Sequence, residues 1–228
     1  MGTKLGRQAA SQAAAEAGWQ FVLGAFETWV PAAGLGEAVG IANVAAPVAA
    51  DLDLRLDLRD TGVGLRLIDS SAGWVDQRHI DAARTITERL RDHGWEVASA
   101  GTRPVQRLEL AIDTLDEEGI RPFWQAALDY EVDSDGSLFD PRGQGPLVWF
   151  QTMDAPRPQR NRIHFDLTVP HSIADARIAA ALSAGGRMVN DAWARSFWVL
   201  ADPEGNEICI CTWQDRDERR DGLLPIPG

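Results

Sequence analysis

The two cysteines of the chain, Cys209 and Cys211, stand two positions apart and close to Glu207. On a strand all three side chains share parity and so point to one face. That would gather two thiols, which as thiolates are nucleophiles and soft metal ligands, with a carboxylate able to move protons. The plainer alternative is that Cys packs as a small buried hydrophobe. Same-side neighbours on one strand are poorly placed to bridge each other, and two cysteines make no disulfide framework. Reduced thiols and a cytoplasmic setting are therefore expected.

Other chemistry-bearing groups are sparse. Arg157, Arg160 and Arg162 lie in a Pro-rich run, 156–162, where they either solvate a connecting loop or steer a small anion. His171 precedes Ser172 at what reads as a helix entry, where capping explains the serine, so no Ser-His-Asp arrangement follows. Gly34, Gly36 and Gly40 do not have the dinucleotide spacing, and Gly143-Gln144-Gly145 reads as a turn. The nine Trp include four in the first 100 residues and five beyond, so indoles alone mark no site.

These groups are carried by a chain of 228 residues with a net charge of −12. That length allows one large domain or two small ones, and 45% apolar with 25% charged residues is globular composition. The acidity is spread over both halves, −4 for residues 1–100 and −8 for 101–228. A protein so charged repels phosphate backbones and anionic lipid, so neither nucleic acid nor membrane is the expected partner. No run approaches 18 apolar residues, and the start of the chain lacks a signal-peptide core.

The elements follow from periodicity. A helix is expected over 11–17, stopped by Gly18, then one strand over 20–29 and a helix over 34–44. Leu52, Leu54, Leu56 and Leu58 alternate with Asp53, Arg55 and Asp57, a strand with one dry face, followed by a turn at Asp60-Thr61-Gly62 and a second strand over 62–68. Residues 76–93 are amphipathic, with Ile80, Ala83, Ile86 and Leu90 on one stripe and Gly94 as the stop. The order is αβαββα. Small residues, Gly and Pro at 99–104 then read as a linker. Beyond it come a strand at 107–113, a helix at 116–128 with Asp116 as its cap, and strands near 130–133, 137–140 and 147–153. The same order recurs from a strand at 161–169 and a helix at 172–184 to strands near 187–190, 196–201 and 207–213. That is βαβββ twice, an internal duplication of the kind that pairs two half-sites. The segment 215–228 is expected to be a mobile tail.

Asn161-Arg162-Ile163-His164-Phe165-Asp166-Leu167 and Asp202-Pro203-Glu204-Gly205-Asn206-Glu207-Ile208-Cys209, with Phe123-Trp124 and Phe150-Gln151, resemble the glyoxalase/bleomycin-resistance (vicinal oxygen chelate) superfamily over about residues 105–214. The resemblance implies a paired βαβββ domain whose cupped sheet holds a small ligand, often with a divalent metal. Its ligand positions fall on Glu109, seven before Asp116, on Gln151, on His164, seven before His171, and on Cys209, where metal-holding members generally carry Glu. Glu109, Gln151 and His164 are hard donors and Cys209 a soft one. The set departs from the family's His/Gln and Glu pattern, and a metal-free ligand cup is the expectation. If a metal binds, it would act as a Lewis acid on a chelating oxygen. Trp124, Trp149 and Trp198 are the lining candidates, with Arg160 and Glu207 as further binding residues; core packing is the alternative for each indole.

Residues 10–95 resemble pterin-4a-carbinolamine dehydratase through Gly18-Trp19, the 34–44 helix, Ala45-Ala46-Pro47, the paired strands and the helix after Gly73-Trp74. That family's His-His-Pro is here Ala45-Ala46-Pro47, and methyl groups transfer no protons. His79 and His93 lie on the following helix and are read as solvated-face residues. The expectation is an α+β protein with a dehydratase-like αβαββα domain at 1–100, its catalytic pair lost, and a glyoxalase-like domain at 105–214. Its function would be small-molecule binding, with lyase or isomerase action on a vicinal-oxygen substrate at Glu109, Gln151, His164 and Cys209. The alternatives are a resistance-type sequestering protein without turnover and a residual 4a-hydroxytetrahydrobiopterin dehydratase. Both resemblances imply a homodimer.

Overall fold

The computed structural model describes residues 3–69, 74–97, 105–156, 163 and 165–215. The chain divides into two compact units, Met1–Leu108 and Glu109–Gly228. No helix among the described residues is long and apolar enough to cross a membrane.

The first unit runs α1 (Arg7–Glu16), β1 (Gln20–Val22), β2 (Ala25–Pro31), α2 (Leu35–Ala45), a 3-10 turn (Ala46–Ala49), β3 (Asp53–Arg59), β4 (Gly62–Ile68) and α3 (Gln77–Asp92). Its antiparallel sheet has the order β1-β2-β4-β3. The single strand expected over 20–29 is a hairpin, because Leu23 (φ 49°) and Gly24 (φ 73°) both turn left-handed and reverse the chain. The order is therefore αββαββα.

The leucines of β3 and Phe26, Val30, Val63, Leu65 and Leu67 form the dry face of the sheet. Ala38, Ile41 and Ala45 of α2 and Ile80, Ala83, Ile86 and Leu90 of α3 pack on it. Burying a side chain such as Ile86 contributes about 1.5–3 kcal/mol. Trp19 is buried and its indole N–H donates to Thr87 Oγ1 (3.0 Å), whose own hydroxyl donates to the Ala17 carbonyl (2.8 Å). That chain of bonds ties the end of α1 to α3. His79 is not a solvated-face residue. It is 1% exposed, with Nδ1 2.8 Å from Oδ1 of the N-cap Asp76, because the capping box at the start of α3 draws the imidazole inward. His93 is exposed and stacks on Trp95.

The second unit repeats one topology. The first copy is β5 (Glu109–Thr114), α4 (Glu117–Leu128), β6 (Glu131–Val132), β7 (Leu138–Phe139) and β8 (Leu147–Thr152), in the sheet order β5-β8-β7-β6. The second copy is β9 (Asp166–Thr168), α5 (His171–Ser183), β10 (Arg187–Asn190), β11 (Phe197–Ala201) and β12 (Glu207–Cys211), in the order β9-β12-β11-β10. In both, the first and last strands pair in parallel and the rest of the ladder is antiparallel.

Two matching loops hold the repeats in shape. Asp140 accepts from the backbone N–H groups of Arg142, Gln144 and Gly145, and Asp202 from those of Glu204 and Asn206. Each aspartate is followed by proline and then, one residue on, by a left-handed glycine, Gly143 or Gly205. The copies share one core, in which Ile120, Phe123, Trp124 and Ala127 of α4 meet Ala174, Ile178 and Ala181 of α5. Arg177 of α5 seals this helix pair by donating to Asp129 Oδ2 (2.8 Å) and to the Ala127 carbonyl (3.3 Å). Ser172 does not cap α5. The N-cap is Pro170, with no side-chain bond.

Candidate functional site

Alternation along the strands decides which side chains can meet a ligand. In the first copy Leu110, Ile112, Val148 and Phe150 face α4, which leaves Glu109, Ala111 and Asp113 of β5 opposite Leu147, Trp149 and Gln151 of β8 on the other face. Glu109, Trp149 and Gln151 are exposed, Trp149 to 37%. In the second copy Leu167, Trp198, Leu200, Ile208 and Ile210 face the shared core. Asp166, Thr168, Phe197, Val199, Glu207, Cys209 and Cys211 take the open face. Each repeat thus turns its polar and reactive side chains away from its helix.

The two open faces differ in character. That of the second copy is apolar at its centre, where Val199, Cys209 and Cys211 are buried together with Phe197 packed against them. Cys209 is 8% exposed, beside its cross-strand partner Asp166. Burial, and then a hydrogen bond from the thiol to the Asp166 carboxylate, push Cys209 up to about 12. Burial and this bond favour the neutral S–H over the nucleophilic thiolate. Glu207 is half-buried two residues before it on the same face.

Of the three predicted lining indoles, Trp149 alone sits on an open face. Trp124 is 1% exposed inside the core, its indole N–H donating to Asp202 Oδ2 (2.9 Å) and its ring edge-on to Phe123 and Phe165. Trp198 is half-buried on the core side of β11. Both are packing residues, placed there by helix stripe and strand parity. Asp116 caps α4 as expected, accepting from the Gly119 N–H (3.0 Å). Glu204 adds to that end from the β11–β12 loop, accepting from Thr114 Oγ1 and from the Leu115 and Asp116 N–H groups at 2.7–3.0 Å.

Two further residues escaped the sequence reading. Asp166 partners Cys209, and its parity with His164 was the available signal. Trp213 is 62% exposed just beyond β12, and its indole N–H donates to His171 Nδ1 (3.1 Å) at the start of α5. His164, Arg157, Arg160 and Arg162 lie outside the described residues, as does most of the expected tail.

Residues 109–211 match the glyoxalase-like domain family. The match lies wholly within the second unit. Solved structures similar to the chain include a glyoxalase/bleomycin resistance protein/dioxygenase family enzyme from Burkholderia phytofirmans PsJN (16% identity, 46% of this chain and 95% of that one, TM-score 0.39). They also include the fosfomycin resistance protein FosX from Mesorhizobium loti (12% identity, 51% and 98%, TM-score 0.41) and a glyoxalase/dioxygenase from Nostoc punctiforme (15% identity, 50% and 94%, TM-score 0.37). No curated protein sequence matches the chain.

The divalent metal that the resemblance implies would need donors from the second unit. Among the described residues no three His, Cys, Asp or Glu side chains group to hold an ion. Cys209 stands at a ligand position as a buried thiol already donating to a carboxylate, and a thiol must lose its proton to bind a metal. The described donors do not fit a metal centre, and no step is drawn through one.

Proposed function

We propose that the glyoxalase-like domain binds a small molecule on the open faces of its two repeat sheets. The observation that carries this reading is the segregation of side chains. Glu109, Trp149 and Gln151 in one copy, and Asp166, Glu207 and Cys209 in the other, all lie on the faces turned away from α4 and α5. Trp149 supplies a large apolar surface with one donor, and Glu109 and Gln151 supply the hydrogen bonds that orient a polar ligand. His164 and Arg160 belong to this proposal as further contacts. Binding without turnover is supported by the burial of Cys209 among Val199, Cys211 and Phe197, with its thiol hydrogen-bonded to Asp166. Lyase or isomerase action remains the second reading, with Glu109 moving the proton.

The test is a ligand screen by protein NMR with pterins, flavins, dicarbonyl–thiol adducts and aromatic antibiotics, repeated on Trp149→Ala and Glu109→Gln. A hit should weaken at least about tenfold in one of the two variants, the loss of one good contact. A ligand held equally well by both would refute the assignment. Product formation from a bound dicarbonyl–thiol adduct would move the reading to the enzyme.

The first unit is proposed as a binding or association module. At the helix end where the resemblance implies two imidazoles, Ala45 is buried and Ala46 exposed, and neither moves a proton. A carbinolamine dehydration assay is expected to give no activity, and a homodimer is expected in sedimentation.

A further inference from the structure

The helix-free face of the first unit's sheet runs against the charge of the chain. Glu27 of β2, Arg66 of β4 and Arg55 of β3 are cross-strand neighbours in one row of that face. Glu27 is buried and accepts two bonds from Arg107, Nε at 2.8 Å and Nη2 at 3.0 Å. Arg55 is held by Asp53 through Nε (3.3 Å) and Nη2 (3.1 Å). Three guanidiniums therefore share two carboxylates, a local excess of one positive charge in a protein of net −12.

Arg66 is the member left over. It approaches Glu27 through Nε at 3.0 Å without hydrogen-bond alignment, and among the described residues no carboxylate engages its terminal nitrogens. Its side chain is 17% exposed. Burial lowers the pKa of this guanidinium, with Arg107 and Arg55 adding to the effect and Glu27 and Asp53 opposing it. A largely desolvated cation with a forked set of unused donors is matched by a planar or tetrahedral oxyanion. The next row of the face supplies a flat neighbour. Trp29 of β2 faces Gly64 of β4, and its ring lies so close over Gly62 that an added Cβ there would meet the indole at 2.6 Å and the Val30 carbonyl at 2.5 Å. Glycine at 62 lets the indole lie down on the sheet toward that residue, in the row it shares with Gly64 and Asp57.

We propose that Arg66, flanked by Arg55 and Arg107, is an oxyanion-binding site for a small carboxylate or phosphate whose flat apolar portion rests on Trp29. The site lies wholly within the first unit and is independent of the glyoxalase-like domain.

The test titrates the full chain with benzoate and with inorganic phosphate at low ionic strength, following the arginine Nε–H and Trp29 indole signals by NMR. Saturable shifts are expected with at least one anion, and which one distinguishes a carboxylate from a phosphate ligand. Arg66→Gln and Arg55→Gln should each weaken binding about tenfold, the loss of one charge-assisted contact. Trp29→Leu should weaken benzoate more than phosphate. Arg84→Gln, on α3 and paired with Glu16 away from the site, should change nothing. The absence of saturable binding by either anion would overturn the proposal, and so would equal weakening in Arg84→Gln, which reports bulk charge. If Arg66→Gln fails to fold, Arg55→Gln decides, because its partner Asp53 is solvated enough to stand alone.

Discussion

Asp202 joins the two repeats through the buried Trp124 indole, and its removal has a calculable effect. The residue is fully buried and accepts four hydrogen bonds at 2.8–2.9 Å, from Trp124 Nε1, from the Glu204 and Asn206 backbone and from Asn206 Nδ2. The Asp202→Ala variant strands the Trp124 N–H inside the core, at about 1–3 kcal/mol for a buried unpaired donor. The other three donors lie nearer to water and are partly rehydrated, costing about 0.5–1 kcal/mol each. The expected loss is about 3–5 kcal/mol, at the severe end for a single substitution. Trp124→Phe removes the same donor from the other side. A double-mutant cycle between the two should therefore show a coupling of about 1.5–3 kcal/mol, the range for a bond to a charged acceptor. Urea unfolding of the second unit, followed by the Trp198 indole N–H signal, measures all four proteins. A loss under about 1 kcal/mol for Asp202→Ala, or a cycle additive within about 0.5 kcal/mol, would refute the reasoning.

Three further outcomes are expected. At the start of α3, burial alone would raise Asp76, but hydrogen bonds from Arg78 and His79 and their charges hold it at about 2, below the ordinary range of an aspartate. A carboxylate lowered on folding stabilises above its unfolded pKa and loses that contribution as pH falls through the folded one, so the first unit should lose about 1–2 kcal/mol between pH 4 and pH 2; an Asp76→Asn variant with an unchanged acid limb would contradict this. Gly186→Ala should destabilise the second unit by about 2–3 kcal/mol in thermal unfolding, since an added Cβ runs into the Phe123 ring and meets the Ala181 carbonyl at 2.8 Å; a neutral effect would show that Phe123 can yield. Native Cys209 should resist iodoacetamide at pH 8 and react once urea unfolds the chain, with mass spectrometry as the readout; alkylation of the folded protein within minutes would mean that the thiol is neither buried nor held by Asp166.

The elements were legible where one period dominated. The α3 stripe, the alternation of β3 and the duplicated βαβββ order all follow from apolar spacing, and Asp116 announces its cap. The β1–β2 hairpin was not legible because its turn uses Leu23 at φ 49°, where sequence usually signals a left-handed residue with Asn or Gly. His79 was misjudged because its burial depends on the side chain of Asp76, three residues away, and not on hydropathy. Among the indoles, Trp124 falls in the stripe Ile120, Phe123, Trp124 and Ala127, so its core position could have been read from helical spacing. Trp198 could not be assigned without knowing which parity of β11 meets α5. For the candidate site, parity placed Glu207, Cys209 and Cys211 together, but Asp166, which accepts the Cys209 thiol's hydrogen bond, comes from another strand.

Duplication fixed the architecture, and divergence has since made the halves unequal. The third residue of the repeated Asp-Pro loop shows this, being Arg142 in one copy and Glu204 in the other. A glutamate can accept from the N–H groups that open α4 and complement the positive end of its dipole, and Glu204 does so. At the start of α5, by contrast, Pro170 is the N-cap and no acidic residue lies in the first turn. The open faces diverge in the same sense. The first presents an exposed carboxylate, amide and indole, while the second sets an apolar centre of Cys209, Cys211, Val199 and Phe197 beside the carboxylates of Asp166 and Glu207. A ligand offering the same chemistry to both faces would leave either polar groups unmet on one side or apolar surface wet on the other, each a loss. A molecule meeting both faces should therefore carry polar groups for the carboxylates and an apolar part for the centre formed by Val199 and Phe197. The Trp149→Ala and Glu109→Gln variants should report on its polar groups, and the chemical shifts of Val199 and Phe197 on its apolar part.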